Sequence, residues 1–265
     1  MPNTFLRLVL ILILLPLSAC ARQPQETTLT VMAAASLSDA FTEIGVLFEQ
    51  DHPGARVAFN FAGSQQLAQQ LSQGAAADVF ASANQKQMDA AVQAGRIQPG
   101  AVQVFASNRL VMIYATHNPA GVSALEDLAR PGVKLVLAAG EVPAGQYTLE
   151  FLEKAEAAGT FGAGYQAAVL ANVVSYEDNI RAVLTKVALG EADAGIVYAS
   201  DITGAEAAQV GQIDIPAALN VIAVYPIAPL ADSAQPDLAA QFVALLLAPE
   251  GQEVLAKHGF LPPTP

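Results

Sequence analysis

The feature that most narrows the fold is an alternation that begins at residue 29. Leu29-Thr30-Val31-Met32-Ala33 is an apolar run of strand length, and Ala40, Phe41, Ile44, Leu47 and Phe48 then recur at the spacing of one helix face. Residues 56–61 alternate faces like a strand. Leu67, Ala68 and Leu71 follow at helical spacing, with Gly74 as a stop. Residues 78–81 read as a third strand, and residues 85–94 as a third helix ending at Gly95. Parallel neighbours need a crossover of helix length, so this order predicts a largely parallel sheet with helices on both faces. Further strands are predicted at 109–115, 133–138, 194–198 and 221–225, and further helices at 149–158, 180–189, 238–247 and 251–257.

The chain of 265 residues is 53% hydrophobic and 14% charged, ample for a large core in one or two domains. One continuous domain fits the pattern. Two lobes are preferred: strand-like runs flank both places where the chain can cross between them, and the resemblance given below carries most of this division. The expected division is residues 29–107 plus 224–265 for the first lobe and 108–223 for the second.

Ahead of this α/β region, Arg7 is followed by the apolar run Leu8 to Leu17, and no acidic residue precedes Glu26. The run is shorter than the roughly 20 residues of a membrane-spanning helix, and it reads as an export signal over residues 1–19. Leu17-Ser18-Ala19-Cys20 resembles the lipobox of bacterial lipoproteins, in which the cysteine carries the lipid. The alternative is an ordinary signal peptide with an incidental cysteine. Cys20 is the only cysteine, so no internal disulfide is available. Residues 20–28 then form a lipidated cysteine and a polar tether containing Pro24.

The formal charge of −12 speaks against nucleic acid, whose phosphates call for Lys and Arg. His52, His117 and His258 are scattered, and no paired His or Cys has metal-ligand spacing. Neither Ser36 nor Ser64 lies in a nucleophile-elbow motif, and no Walker sequence is present. Gly162-Ala163-Gly164-Tyr165-Gln166-Ala167 imitates a dinucleotide fingerprint but follows a helix-like stretch, so it reads as a connection. These observations speak against an enzyme, and no cofactor is called for.

The informative positions sit where strands give way to helices. In open α/β sheets ligands collect there, and helix N-termini offer unpaired N–H groups and partial positive charge. Ala33-Ala34-Ala35-Ser36-Leu37-Ser38-Asp39 is one such junction and Phe61-Ala62-Gly63-Ser64-Gln65 another; in each, the serine is either a helix cap or a ligand donor. Val142-Pro143-Ala144-Gly145 and Asp178-Asn179-Ile180-Arg181 are comparable, with ordinary helix initiation as the alternative. Tyr198 ends the run Gly195-Ile196-Val197 either as core or as a neutral donor facing a cleft. A site built of amides, serine hydroxyls and a tyrosine hydroxyl suits a fully ionised oxyanion. It disfavours phosphate, whose proton needs an acceptor.

Taken in order, these junctions together with Ala77-Asp78-Val79-Phe80-Ala81-Ser82-Ala83 resemble the molybdate-binding proteins of bacterial ABC importers, from about Leu29 to Gly259-Phe260. The resemblance implies a two-lobed, type II periplasmic-binding-protein fold, each lobe a mostly parallel sheet flanked by helices, closing on molybdate or tungstate. It implies donors from Ser36 and Ser64 in the first lobe, and from the amides of Ala144 and Ile180 and the hydroxyl of Tyr198 in the second. The ligand would be held through its oxygens, with no direct bond to the metal. Asn179 is inserted in a pattern that shorter members write Glu-Asp-Val-Arg, so the amide falls on Ile180 or Asn179. Gly63 replaces a serine of the family's serine-rich turn. The implied partners are a permease, a separate ATPase subunit and the membrane through the lipid, with the protein itself a monomer. Sulfate or another small anion is the alternative ligand.

Overall fold

The computed structural model describes residues 26–203 and 205–263. The predicted export signal, Cys20 and the tether up to residue 25 lie outside the described residues. In chain order the elements are β1 (Thr27–Ala34), α1 (Ser38–Asp51), β2 (Ala55–Ala62), α2 (Ser64–Ser72), β3 (Val79–Ala81), α3 (Gln85–Gln93) and β4 (Gln103–Ala115). Then come β5 (Leu135–Ala138), α4 (Pro143–Ala157), α5 (Tyr165–Ala171), β6 (Val173–Glu177), α6 (Ile180–Ala188) and β7 (Ala194–Tyr198). The series ends with β8 (Val210–Asp214), β9 (Ile222–Pro229), α7 (Pro236–Leu247) and α8 (Pro249–Lys257). No helix among the described residues is long and apolar enough to cross a membrane.

The strands form one curled sheet in the order β2-β1-β3-β9-β4-β7-β5-β6, with β8 also on β4. It contains two parallel sets, β1 between β2 and β3, and β5 between β6 and β7. Antiparallel β9 and β4 join them. The 13-residue β4 is the link: its first part pairs with β9 as far as Arg109, and from Leu110 onward it pairs with β7 and β8. This is the two-lobed α/β arrangement, with β4 and β9 carrying the chain between its halves.

Burial explains the pattern. β3, β5 and β7 are buried throughout, as strands covered by helices on both faces must be. The edge strand β6 instead alternates, leaving Val174 and Tyr176 exposed. In the first half Phe41 of α1 meets Phe242 of α7 edge-on at 5.9 Å and Phe105 of β4 at 5.7 Å. Such pairs add about 0.5–1.5 kcal/mol each beyond area burial. A smaller cluster, including Met32, Leu67, Leu71, Phe80 and Met88, packs α2 and α3 on the sheet.

Three differences from the sequence reading concern boundaries. Helix α4 begins at Pro143, not 149, because proline is favoured in the first turn although Pro143-Ala144-Gly145-Gln146 shows no apolar periodicity. The stretch read as a connection contains Gly164 at φ 81°, the residue before α5, so Tyr165 onward is helical. Strands β6 and β8 were not anticipated; each is only five residues long and mixes apolar with polar side chains.

Candidate functional site

The strand-to-helix junctions meet at one cavity. Its lining includes Ser36, Ser64, Ala144, Asn179, Ile180 and Tyr198, with small residues such as Ala34, Ala62 and Ala83 between them. About 220 Å³ of space is free of atoms there, part of it open to solvent. The enclosed part is small and suits only a ligand of a few atoms. None of the lining residues is charged.

Each donor is placed by its element. Ser36 lies in a single 3-10 turn, Ala35–Leu37, between β1 and α1. Ser64 is the first residue of α2, Ala144 the second of α4 and Ile180 the first of α6. Amides in the first turn of a helix have no partner within it. The structure brings the five predicted residues together, and all five are at least nine-tenths buried.

The serines are not caps. Neither the 3-10 turn nor α1 or α2 has a side-chain cap, and both hydroxyls look elsewhere. Ser64 Oγ accepts the Ala83 N–H at 3.0 Å, and Ser36 Oγ lies 3.0 Å from the Tyr225 hydroxyl. Asn179 is a true cap: its side-chain oxygen accepts the Ala182 N–H at 3.0 Å. That leaves Ile180 as the first helical amide of α6.

Tyr198 is 1% exposed, and its hydroxyl has no hydrogen-bond partner. The Tyr225 ring stands 5.8 Å away, and its hydroxyl is near enough to raise the Tyr198 pKa, but the two hydroxyls do not meet in hydrogen-bond geometry. Burial first, and then the neighbouring Tyr225 and Tyr147, push the Tyr198 pKa well above 10, so it is a neutral donor. An unsatisfied buried hydroxyl costs roughly 1–3 kcal/mol. Its place in the lining therefore invites an acceptor.

The two sides of the cavity touch. Gln65 Nε2 donates to the Asp178 carbonyl at 2.7 Å, and Gln66 Nε2 to the Asp178 carboxylate at 2.8 Å. Asn84 Nδ2 reaches Gln146 Oε1 at 3.1 Å. Arg181, next to Ile180, points away from the cavity and grips both Asp39 oxygens at 2.8 and 2.9 Å. Its other amino group donates to the Asp201 carbonyl at 3.3 Å and lies 3.9 Å from the Asp201 carboxylate. Asp201 is fully buried and accepts the Tyr198 N–H at 3.0 Å. Desolvation raises its pKa to about 7, against the opposing pull of Arg181.

Sequence reasoning named the five residues that line the cavity but not those behind them. Tyr225 was noted only as the end of a strand, although it shares with Tyr198 the signal of a tyrosine closing an apolar run. The Asp39–Arg181 pair spans 142 positions, and no local signal marks it. No group of three or more His, Cys, Asp or Glu residues among the described residues could hold a metal ion.

The family model for bacterial extracellular solute-binding proteins matches residues 29–261. The chain is 42% identical to the molybdate-binding protein ModA of Mycobacterium tuberculosis, over 89% of this chain and 85% of that one. It is 31% identical to the molybdate-binding protein ModA of Escherichia coli, over 89% of each. The periplasmic molybdate-binding protein of Azotobacter vinelandii superposes with a TM-score of 0.75 at 20% identity, covering 89% of this chain and all of that one (100%). That last likeness concerns the fold.

Proposed function

The chain belongs to the bacterial extracellular solute-binding proteins, and on that premise we propose that it captures molybdate or tungstate in its cavity and delivers it to an ABC importer. The observation that carries the reading is the Tyr198 hydroxyl, buried without a partner in an uncharged cavity among the starts of three helices. A tetrahedral dianion supplies acceptors for that hydroxyl, for Ser36 and Ser64, and for the amides of Ala144 and Ile180. It brings no proton, so it needs no acceptor in return. The role is capture and release, with no chemical step.

The lobes we assign are residues 29–107 plus 224–265 and residues 108–223. The switch of β4 from β9 to β7 and β8 at Arg109–Leu110 supports that division. Residues 1–19 are proposed as an export signal and Cys20 as the lipid anchor, resting on the leader pattern and on the extracellular family. A permease and a separate ATPase subunit are the partners. The protein acts as a monomer, because one cavity between its own halves needs no second copy.

Calorimetric titration of residues 29–265 with molybdate, tungstate, sulfate and phosphate tests the ligand. One-to-one binding of the first two, with little response to the others, is expected. Tighter binding of sulfate would move the assignment to the smaller anion, and no binding of any of the four would remove it.

A further inference from the structure

We propose that Tyr225, which lies outside the cavity lining, is a positioning residue. It holds Ser36 as an obligate donor and so makes the site selective for anions that carry no proton. The inference rests on the oxyanion reading above and adds a relay to it. Tyr225 is fully buried, and its hydroxyl lies 3.0 Å from Ser36 Oγ. Behind it stands Asn108, also fully buried, whose orientation is fixed. Asn108 Oδ1 accepts the Arg109 N–H at 2.9 Å, and Nδ2 donates to Ser200 Oγ at 2.8 Å. The Tyr225 phenol also has Asn108 as a neighbour, and contacts with Ser36 and Asn108 both act to lower its pKa against the stronger effect of burial.

The ligand sets the direction of the chain. A dianion only accepts, so the Ser36 O–H must point at it. Ser36 Oγ must then accept from its buried neighbour, which makes Tyr225 the donor. Hydrogen bonds in such a chain polarise one another. The order Tyr225, Ser36, ligand thus strengthens the last donor and holds it toward the ligand. Ser64 is held in the same sense by the Ala83 N–H, a donor that cannot turn round. Hydrogen phosphate needs an acceptor for its proton, and each serine has one of its two lone pairs already engaged, so the site is poor in acceptors.

The test is a double-mutant cycle on the purified chain, reading the molybdate Kd of wild type, Tyr225→Phe, Ser36→Ala and the double variant. Phe keeps the ring and its edge contacts with Phe105, Tyr198 and Phe260, and melting curves check the fold. Tyr225→Phe is expected to weaken molybdate about tenfold, the size of one hydrogen bond at a charged acceptor. In the Ser36→Ala background the same change is expected to cost less than twofold, because there is no hydroxyl left to orient. Competition against bound molybdate is expected to show the phosphate-to-sulfate affinity ratio rising severalfold in Tyr225→Phe, as the freed Ser36 becomes able to accept. An equal loss in both backgrounds, no loss in either, or an unchanged ratio overturns the relay. A wild-type chain that binds no oxyanion overturns the site assignment itself, a result distinct from any outcome of the cycle.

Discussion

Gly63 carries the sharpest structural prediction. Its backbone angles, φ −59° and ψ 136°, are open to any residue, so the conformation does not require glycine. The space does. A Cβ built on Gly63 stands 2.4 Å from the Asp178 carbonyl oxygen, where 3.0 Å is the floor for real Cβ contacts, and about as close to the Gln65 amide. Gln65 can swing aside, but Asp178 O is backbone on the opposite side of the cavity. In Gly63→Ala the two sides must separate here by at least the difference, about 0.6 Å. That stretches the 2.7 and 2.8 Å bonds from Gln65 and Gln66 to Asp178, and draws the Ile180 amide, two residues on, away from the ligand. Two bonds at about 1 kcal/mol each correspond to roughly a thirtyfold loss of molybdate affinity. The same strain acts without ligand, so the melting temperature should fall modestly, the lowered entropy of the unfolded chain offsetting only part of it. Titration calorimetry reads the first quantity and differential scanning calorimetry the second. An affinity within threefold of wild type would refute the reasoning, as would a collapse of stability in the free protein.

Tyr198→Phe should separate binding from stability. Losing a hydroxyl that donates to a dianion weakens molybdate by about 1.5–3 kcal/mol, roughly ten- to a hundredfold, while the ligand-free protein unfolds no more easily because the group was unsatisfied. Urea titrations with and without molybdate check both halves. Asp201 makes a pH prediction. Its pKa is raised from 3.8 to about 7, so the folded state holds the proton more tightly; the added stability is complete below about pH 4 and is lost as the pH rises to about 7. At 1.36 kcal/mol per unit the swing is at most about 4 kcal/mol. In Asp201→Asn, whose amide oxygen can still accept the Tyr198 N–H, the gap to wild type should grow in the variant's favour across that window. Parallel unfolding free energies from pH 4 to pH 8 would defeat the assignment.

What the sequence made legible follows the range of the interactions. Helix starts are written locally, in small residues, a serine or a proline after an apolar run, and the five predicted cavity residues fall at such places or at a strand end. Ile180 and Asn179 could not be told apart by pattern, because both are suitable at a helix start. The bond from Asn179 to the Ala182 N–H distinguishes cap from first helical residue. Gly63 stood out as a departure from the family's serine-rich turn, but its reason lies across the cavity in Asp178, 115 positions away, and could not be read along the chain. Ser36 and Tyr225 are 189 positions apart and meet only because β9 returns beside β3 and β4. Strands β6 and β8 went unread because each is five residues long and mixes apolar with polar side chains, too short a run to set a period.

A chain with a formal charge of −12 gains nothing from its overall field when it holds a dianion, so the favourable field must be local. Distant carboxylates are screened over roughly 10 Å. Of those close by, Asp39 is paired with Arg181, Asp201 has a pKa of about 7 with the same arginine beside it, and Asp178 is exposed to solvent and held by the Gln66 and Asn179 amides. What remains at the cavity is the positive end of each helix, equivalent to about half a charge. The first turns of α2, α4 and α6, which open onto the cavity, contain no acidic residue. Helices α7 and α8, which do not line it, carry Asp237 and Glu250 at that position. A carboxylate there stabilises a helix, so its absence from all three cavity helices leaves their N-termini open to an anion from solution.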